Sequence, residues 1–271
     1  MSLMRLPKGS ELAKATSIGL AAGYADVVAT TGWMHREYTH NSVQLPKPLS
    51  LLARTVIWGT GTRPRVWAAV HRDHHDYADT PRDPHSPVMQ GKFGVPKILA
   101  KGALLYRKYT EKKTDDVMPP DLRPDQLDKK VFDKVQLGLA ASVAGHMALN
   151  KLAGNPAGLG LWSFAVEKVG YVVGGNFVNG IGHGGQHPWR AVLTGEIEPF
   201  EDGTYGADSV SVGLVTLGEG MQRAHHENPG SPFFGDREDL NLVEQFARDS
   251  AGTVLSLMID HGIAKPGQRA A

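Results

Sequence analysis

Eight of the twelve histidines in this chain occur in short groups whose residue type suits metal binding. They are His35, His40, His71, His74, His75, His183, His225 and His226. Neutral imidazole is the commonest protein ligand for metals and suits iron, zinc and copper. Because one zinc ion uses only three or four protein ligands, eight clustered histidines predict a site for two metal ions.

The spacing within the groups places several of these side chains together if the segments are helical. Segment 71–75 has histidines at positions i, i+3 and i+4, and segment 222–226 has Gln222 followed by two histidines at the same spacing. Asn179 and His183 are four residues apart. Residues three or four apart share one face of a helix, and helical bundles build two-metal sites by turning such faces inward.

The first pair of histidines does not fit this pattern. His35 and His40 are five residues apart, and an α-helix would separate their directions by roughly 140°. We therefore expect them either to lie on the two sides of a helix end or to serve different ions.

Other polar residues near the groups could support the metal ligands. We expect His146 and His261 to be structural, and His85 and His187 to contact ligands rather than bind metal. Carboxylates commonly accept hydrogen bonds from ligand imidazoles. The candidate acceptors are Asp73, Asp76, Asp83 and Glu219, although helix-end charges would explain the same acids.

Length and composition exclude several classes of protein. The 271 residues fit one large domain or two small ones. We expect a single domain, 1–271, with a core of about 15–235 and a C-terminal tail of 236–271 that is frayed after Ala264. The 29 Lys and Arg residues nearly balance 28 Asp and Glu residues, so no global charge favours nucleic acid. The chain has no cysteine, which excludes disulfides, cysteine nucleophiles and iron–sulfur ligation. Electrons for redox chemistry must therefore come from another protein.

The apolar stretches predict an all-α fold, a membrane-associated helical bundle whose histidine-rich two-metal site faces the cytoplasm. Segment 15–34 has the length of a bilayer span but contains Asp26, and segment 49–60 is short. Segments 135–152 and 158–181 predict two antiparallel helices joined by a neutral turn. Charged loops on the other side then favour a cytoplasmic position for the histidines.

Two features qualify this prediction. Glu167 and Lys168 lie in the middle of the second helix, where they must face protein or water, or else mark a soluble helix with a solvated edge. Segment 91–134 is a polar connector that contains a predicted basic helix, 98–113. Its stretch 92–113 could bind an acidic electron carrier or anionic lipid headgroups.

The set of histidine motifs resembles the membrane fatty-acid desaturases, most closely the acyl-CoA desaturase branch. The matching features are the H-x4-H box at His35/His40, the H-x2-H-H box at His71/His74/His75, Trp67, Asp83-Pro84-His85, Phe177-Val178-Asn179 with His183, and Gly218-Glu219-Gly220 before His225/His226. The resemblance extends from about Gly32 to Pro232. It implies that the eight histidines bind two iron ions and that Asn179 holds a metal-bound water.

The chain departs from the acyl-CoA branch in two places. The third box begins with Gln222 rather than histidine, so Gln222 could be a weaker ligand or could orient a water. Front-end desaturases share this glutamine. In addition, about 34 residues precede the first box, which leaves room for one span where the family usually has two. Either the segment 15–34 is re-entrant or interfacial, which would reconcile this length with the basic N-terminus, or the positive-inside rule fails here.

By this resemblance, the protein uses oxygen to introduce a double bond into a long acyl chain carried by CoA, acyl carrier protein or a lipid. A ferredoxin or haem carrier would supply the electrons, and membrane lipid would be a further partner. Hydroxylation of an acyl or isoprenoid chain on the same site remains an alternative, as does a non-catalytic relative that only binds metal. A soluble two-metal hydrolase fits less well, because it would be expected to use bridging carboxylates.

Overall fold

The computed structural model describes residues 6–83, 85–113 and 118–268, so Pro84 of the Asp83–His85 motif lies outside the described residues. Helices dominate the part of the chain that it describes, which confirms the predicted all-α class. The α-helices are α1 (Gly9–Ala29), α2 (Lys47–Thr60), α3 (Pro64–Tyr77), α4 (Gly94–Thr110), α5 (Val135–Leu152), α6 (Gly160–Gly182), α7 (Pro188–Thr194), α8 (Val210–Thr216), α9 (Gln222–Glu227) and α10 (Leu242–Asp260).

Shorter elements connect these helices. Two segments, Thr30–Thr39 and Asp128–Phe132, are π-helices, and Val88–Gln90, Pro120–Leu122 and Ala157–Leu159 are single turns of 3₁₀ helix. Two short strands, β1 (Val43–Gln44) and β2 (Lys265–Pro266), pair in antiparallel orientation. The segment just after the first box and the C-terminal end of the described chain are therefore held side by side.

Helix α6 lies at the centre of the bundle and packs against α1, α4 and α5. Glycines let the α1 and α6 backbones approach closely: a Cβ atom at Gly19 would lie 2.4 Å from the carbonyl oxygen of Ser163. Residue 23, one turn further along α1, is also glycine and faces Glu167. This close packing fixes the direction of α6, whose C-terminal end carries His183.

The predicted pair of antiparallel helices is confirmed. Helix α5 has the predicted bounds, and α6 differs from the predicted 158–181 by two residues at its start and one at its end. The predicted basic helix 98–113 corresponds to α4, which begins four residues earlier and ends at Thr110. The hairpin of α5 and α6 places the start of α5 near the same end of the bundle as His183.

The predicted spans are not supported. The stretch 15–34 is divided between α1, which ends at Ala29, and the π-helix that follows it. Among the described residues, no helix combines the length and the apolar character that a bilayer crossing requires.

The C-terminal segment differs from the predicted tail. Residues 242–260 form α10, which begins with an Asn241 capping box, and Lys265–Pro266, directly after Ala264, form β2. The backbone N–H of Gly267 also donates to the carbonyl oxygen of Ser42. Fraying was expected because the residues are small and polar, but backbone pairing with β1 holds them in place.

Helices α1, α5 and α6 enclose a cluster of polar side chains. Glu167 hydrogen-bonds His146, and Lys168 donates to the carbonyl oxygen of Gly59 at 2.9 Å. Asp26 of α1 is buried against Glu167 and Lys168. Glu167 and Lys168 thus face protein, as the membrane prediction required of them, and His146 has the structural hydrogen bonds predicted for it.

We expect Asp26 to make the stability of the protein depend on pH. Burial, reinforced by Glu167 and opposed by Lys168, raises the pKa of Asp26 to about 8. The folded state therefore holds a proton that the unfolded chain releases near pH 4, and stability should fall as pH rises from about 4 to 8, by at most about 1.4 kcal/mol per pH unit. Asp26→Asn should flatten this dependence in urea unfolding between pH 5.5 and 8.5.

The matched control is Asp239→Asn, because Asp239 is exposed. Its unfolding free energy should follow that of the unmodified protein at each pH. Parallel curves for Asp26→Asn and the unmodified protein would contradict the prediction.

Candidate metal centre

The eight predicted histidines are brought together in two groups. The group of five consists of His35, His40, His71, His75 and His225. The group of three consists of His74, His183 and His226. Within each group, one ligand nitrogen per residue lies within 4.8 Å of the others. The two groups adjoin, since the rings of His75 and His226 stack with centroids 4.2 Å apart.

The first box owes its geometry to the π-helix Thr30–Thr39. His35 lies inside this helix and His40 caps its C-terminal end, where its backbone N–H donates to the carbonyl oxygen of His35 at 3.1 Å. The i→i+5 hydrogen bonds of a π-helix bring residues five apart closer in direction than an α-helix would. His35 and His40 therefore straddle a helix end, as one alternative predicted, and they join the same group of five.

The second box lies on α3, where the predicted spacing is realised. Pro64 begins this helix, a position at which proline loses no helical hydrogen bond. His71 and His74 are buried, and His75 lies beside them on the same face. Trp67, one turn before the box, stacks on His71 with ring centroids 4.8 Å apart and planes 9° apart. The indole therefore supports one imidazole of the group of five.

The third box depends on the two glycines before it. Gly218 has φ +109°, a conformation that favours glycine, and a Cβ atom at Gly220 would lie 2.3 Å from the backbone nitrogen of Gly213. This tight turn directs Glu219 toward the histidines and starts α9 at Gln222. The Gly-Glu-Gly motif is thus explained by backbone geometry and by the placement of Glu219.

Among the described residues, three carboxylates contact the outer nitrogen of a candidate ligand ring. Glu219 Oε2 lies 2.5 Å from His35 Nδ1, and Asp83 Oδ2 lies 2.9 Å from His74 Nδ1. In the third contact, Asp79 Oδ2 lies 3.3 Å from His183 Nδ1. An acceptor at Nδ1 holds the proton there and leaves the Nε2 lone pair free. These carboxylates therefore select the tautomer in which each ring can bind a metal.

Only part of this carboxylate set was predicted. Glu219 and Asp83 were among the candidates, whereas Asp79 was not. Asp73 pairs instead with Lys113 at 2.6 Å, and Asp76 is exposed, so neither contacts a ligand ring. Both lie on the outward side of α3. The spacing in the sequence did not show which acidic residues face outward and which face the histidines.

The inner nitrogens face one another in a way that suits a bound cation. His74 Nε2 lies 3.1 Å from both His183 Nε2 and His226 Nε2. In the group of five, His225 Nε2 lies 2.9 Å from both His35 Nε2 and His75 Nε2. Since Asp83 and Asp79 favour the Nδ1 protons of His74 and His183, the contact between these two rings brings two Nε2 lone pairs together, as a shared metal ion would require.

One further ring nitrogen supports this interpretation. The Nε2 atom of His40 is buried and makes no hydrogen bond with the described residues. An unpaired buried nitrogen costs free energy that a metal bond would recover. The donor set therefore fits metal ions that accept neutral nitrogen ligands.

The electrostatic environment keeps most of the rings neutral. Burial, together with neighbouring histidines, lowers the pKa of His40, His71, His74 and His225 well below the usual value. The same causes lower the pKa of His226 and bring that of His75 to about 3. Burial also disfavours charge on His183, but Asp79 and Asp83 outweigh it and raise its pKa.

The remaining candidates surround the group of three. Gln222 is buried, donates from Nε2 to the carbonyl oxygen of Glu219 at 2.7 Å and hydrogen-bonds His183. Asn179 hydrogen-bonds His85, a buried ring whose pKa burial lowers to about 4 and which lies with His74 and Asp83. The predicted supporting role fits the position of His85.

Two other histidines lie away from the centre. His187 is exposed where α7 begins, so the prediction that it supports a ligand is wrong. His261 lies just after α10 and outside the histidine groups, but it is exposed, so the prediction that it is a structural residue of the core is wrong.

Arg36 and Asp249 pair in the interior next to the group of five, and neither was predicted from the sequence. The one available signal was a charged residue inside the first box. Asp249 carried none, because it lies 213 positions away along the chain.

Comparison with known proteins supplies independent evidence. The sequence model of the family described as fatty acid desaturase matches residues 13–251. A hex-5-enoyl-[acyl-carrier protein] acetylenase of Moorena producens is 26% identical over 233 residues, which cover 80% of this chain and 68% of that protein.

Plant relatives match over shorter regions. An acyl-CoA C20 Delta5-desaturase of Anemone leveillei is 43% identical over 63 residues, and the Delta-9 desaturase-like 5 protein of Arabidopsis thaliana is 42% identical over 55 residues. These matches cover 23% and 20% of this chain, and 20% and 18% of the respective relatives.

Proposed function

Because the chain belongs to the fatty acid desaturase family, whose relatives are oxidoreductases that act on fatty acyl chains, we propose that it is an oxygen-dependent acyl desaturase with a two-iron centre. The observation that carries this proposal is the convergence of eight histidine ring nitrogens in two adjoining groups. Acid–base side chains could not perform this reaction, since an unactivated methylene has no useful acidity.

The two histidine groups would each hold one iron ion. When bound, the irons would supply the reduction of oxygen and the removal of two hydrogens from neighbouring carbons. Glu219, Asp83 and Asp79 would keep the ligand rings oriented, with their protons on the outer nitrogens. Gln222 would fill the corner of the group of three, where it already hydrogen-bonds His183, and Asn179 would lie beside it.

The substrate would be a long acyl chain, and the electrons would come from a separate ferredoxin or haem carrier. CoA, acyl carrier protein and lipid are candidate carriers of the acyl chain, and the names of the relatives include the first two. Exposed basic residues on α4, such as Lys97, Lys101 and Lys108, offer a docking surface for an acidic electron carrier.

We further propose that the protein associates with membranes and that its metal centre faces the cytoplasm. Large apolar side chains such as Leu161 and Val169 of α6 and Leu152 of α5 are exposed. Contact with acyl chains of a lipid would remove this surface from water, which is favourable. Membrane lipid would then be a partner.

The test is the fatty-acid profile, by gas chromatography–mass spectrometry, of cells that express the chain. We expect a new unsaturated chain with the intact protein and none with the His74→Ala/His75→Ala variant, because both histidine groups lose a ligand. The His261→Ala variant should retain the product, since His261 is exposed.

The identity of the product distinguishes the alternatives. If the product is a hydroxylated chain, the same site performs hydroxylation instead of desaturation. The acetylenase relative favours a second candidate, conversion of an existing double bond to a triple bond, and an acetylenic chain would support it. A profile that stays unchanged when the expressed protein contains two irons would contradict acyl desaturation in these cells.

A further inference from the structure

Arg36, the residue after the first histidine of the first box, is fully buried and uses its whole guanidinium group. Nη2 donates to both carboxylate oxygens of Asp249 at 2.9 Å, and Nε donates to the carbonyl oxygen of Pro232 at 2.9 Å. Nη1 donates to Glu219 Oε1 at 2.8 Å. A buried arginine with such defined partners can fix the positions of several elements at once.

One set of contacts connects Arg36 to His35. Glu219 accepts from Arg36 with one carboxylate oxygen and contacts His35 Nδ1 with the other. The hydroxyl of Thr31 also donates to Glu219. Because three groups hold the carboxylate, its orientation toward His35 depends on the arginine.

A second set of contacts connects Arg36 to His225. The guanidinium carbon lies 3.8 Å from the centre of the Phe234 ring, and that ring lies 4.3 Å from the ring of His225. The Phe234 ring is therefore packed between the arginine and a proposed metal ligand. The backbone N–H of Phe234 donates to Asp249 Oδ2 at 2.8 Å, so Asp249 helps to hold the ring there.

Asp249 is itself held firmly in the interior. It is fully buried, it interrupts α10 with a non-helical backbone at φ −144° and ψ 83°, and it accepts from the backbone N–H of Gly252 at 2.8 Å. The kink brings the side-chain carboxylate of Asp249, on the last helix, to Arg36 in the first box. Removal of either charge would leave the other buried without its partner, which is costly.

We propose that Arg36 and Asp249 are positioning residues that set the metal-binding geometry of the group of five, through Glu219 at His35 and through Phe234 at His225. This inference rests on the proposed metal centre. It predicts an asymmetry, since Asp83 and Asp79, the carboxylates of the group of three, form no hydrogen bond or ion pair with Arg36 or Asp249 within the described residues.

Cobalt(II) titration of the metal-free protein tests the proposal, because the visible absorption of Co²⁺ reports the number and geometry of its ligands. For Arg36→Lys and Asp249→Asn, we expect one of two bound ions to lose about 10- to 100-fold in affinity, as is typical when support for a ligand is removed. The second ion should keep its affinity and its absorption bands.

The matched control is Arg54→Lys. Arg54 also bonds two carboxylates, Asp125 and Asp128, and lies over the Phe132 ring at 4.4 Å, but it contacts none of the histidine groups. Arg54→Lys, like Arg36→Lys, should lower the free energy of unfolding, but it should leave both Co²⁺ affinities unchanged.

Phe234→Leu provides a variant that keeps both charges. It should also weaken one ion selectively, and it decides the question if Arg36→Lys does not fold. Unchanged binding in the variants that fold, or equal weakening of both ions, would overturn the positioning role. Failure of the unmodified protein to bind two ions would instead contradict the proposed metal centre, so the two failures are distinguishable.

Discussion

The His226→Ala variant is expected to lose one of the two proposed metal ions and all detectable product. His226 belongs to the group of three, so its removal leaves only His74 and His183 as histidine ligands. A site usually needs three or four protein ligands to retain its ion. Metal analysis of the purified variant, together with the fatty-acid profile, measures both effects.

The neighbouring variant His225→Ala provides the sharpest comparison. The loss of His225 leaves four histidines in the group of five. We therefore expect two ions to remain bound, one of them more weakly. Product should still disappear, because His225 Nε2 lies 2.9 Å from two other ligand nitrogens and its removal distorts that half of the centre. Equal metal loss from both variants would contradict the division into five and three.

The Asp83→Ala variant is expected to lower activity by about 10- to 100-fold, the usual effect of removing a carboxylate that orients a ligand imidazole. Asp83 accepts from His74 Nδ1 at 2.9 Å and from the backbone N–H groups of Asp79 and His85 at 2.8 and 2.9 Å. Its loss therefore frees both the ring and the loop after α3. Product formation rates, normalised to the amount of folded protein, measure the effect.

Asp73→Ala is the control for this prediction. Asp73 lies on the same helix but pairs with Lys113 near the surface. A surface ion pair contributes little to stability, so activity should remain close to that of the unmodified protein. A comparable loss of activity in both variants would indicate that the effect comes from general charge rather than from the orientation of His74.

Local sequence patterns predicted the parts of the fold and site that depend on local geometry. The apolar stretch 135–152 has the bounds of α5, and the i, i+3, i+4 spacing of His71, His74 and His75 is realised on α3. In both cases the spacing of side chains along one helix is sufficient, since neighbours in the pattern are neighbours in space.

Features that depend on unusual backbone or on distant pairing were not predicted. The π-helix around His35 leaves no trace in an apolar pattern, because it changes the hydrogen bonding rather than the residue types. Asp79 and Asp249 contact the site only through the path of a loop and a kink in α10. Residues near the C-terminus were expected to be loose because composition does not reveal that β1 is available for pairing.

The pairing of Arg36 with Asp249 has a consequence for the order of events during synthesis. Translation delivers His35, His40, His71 and His75 well before His225, and Asp249 follows later still. A nascent chain therefore presents an incomplete set of imidazoles before Asp249 has emerged, and imidazole nitrogens also accept zinc and copper. For the proposed two-iron centre, complete loading would follow the emergence of α10 from the ribosome, so metal delivery would be a late step in maturation.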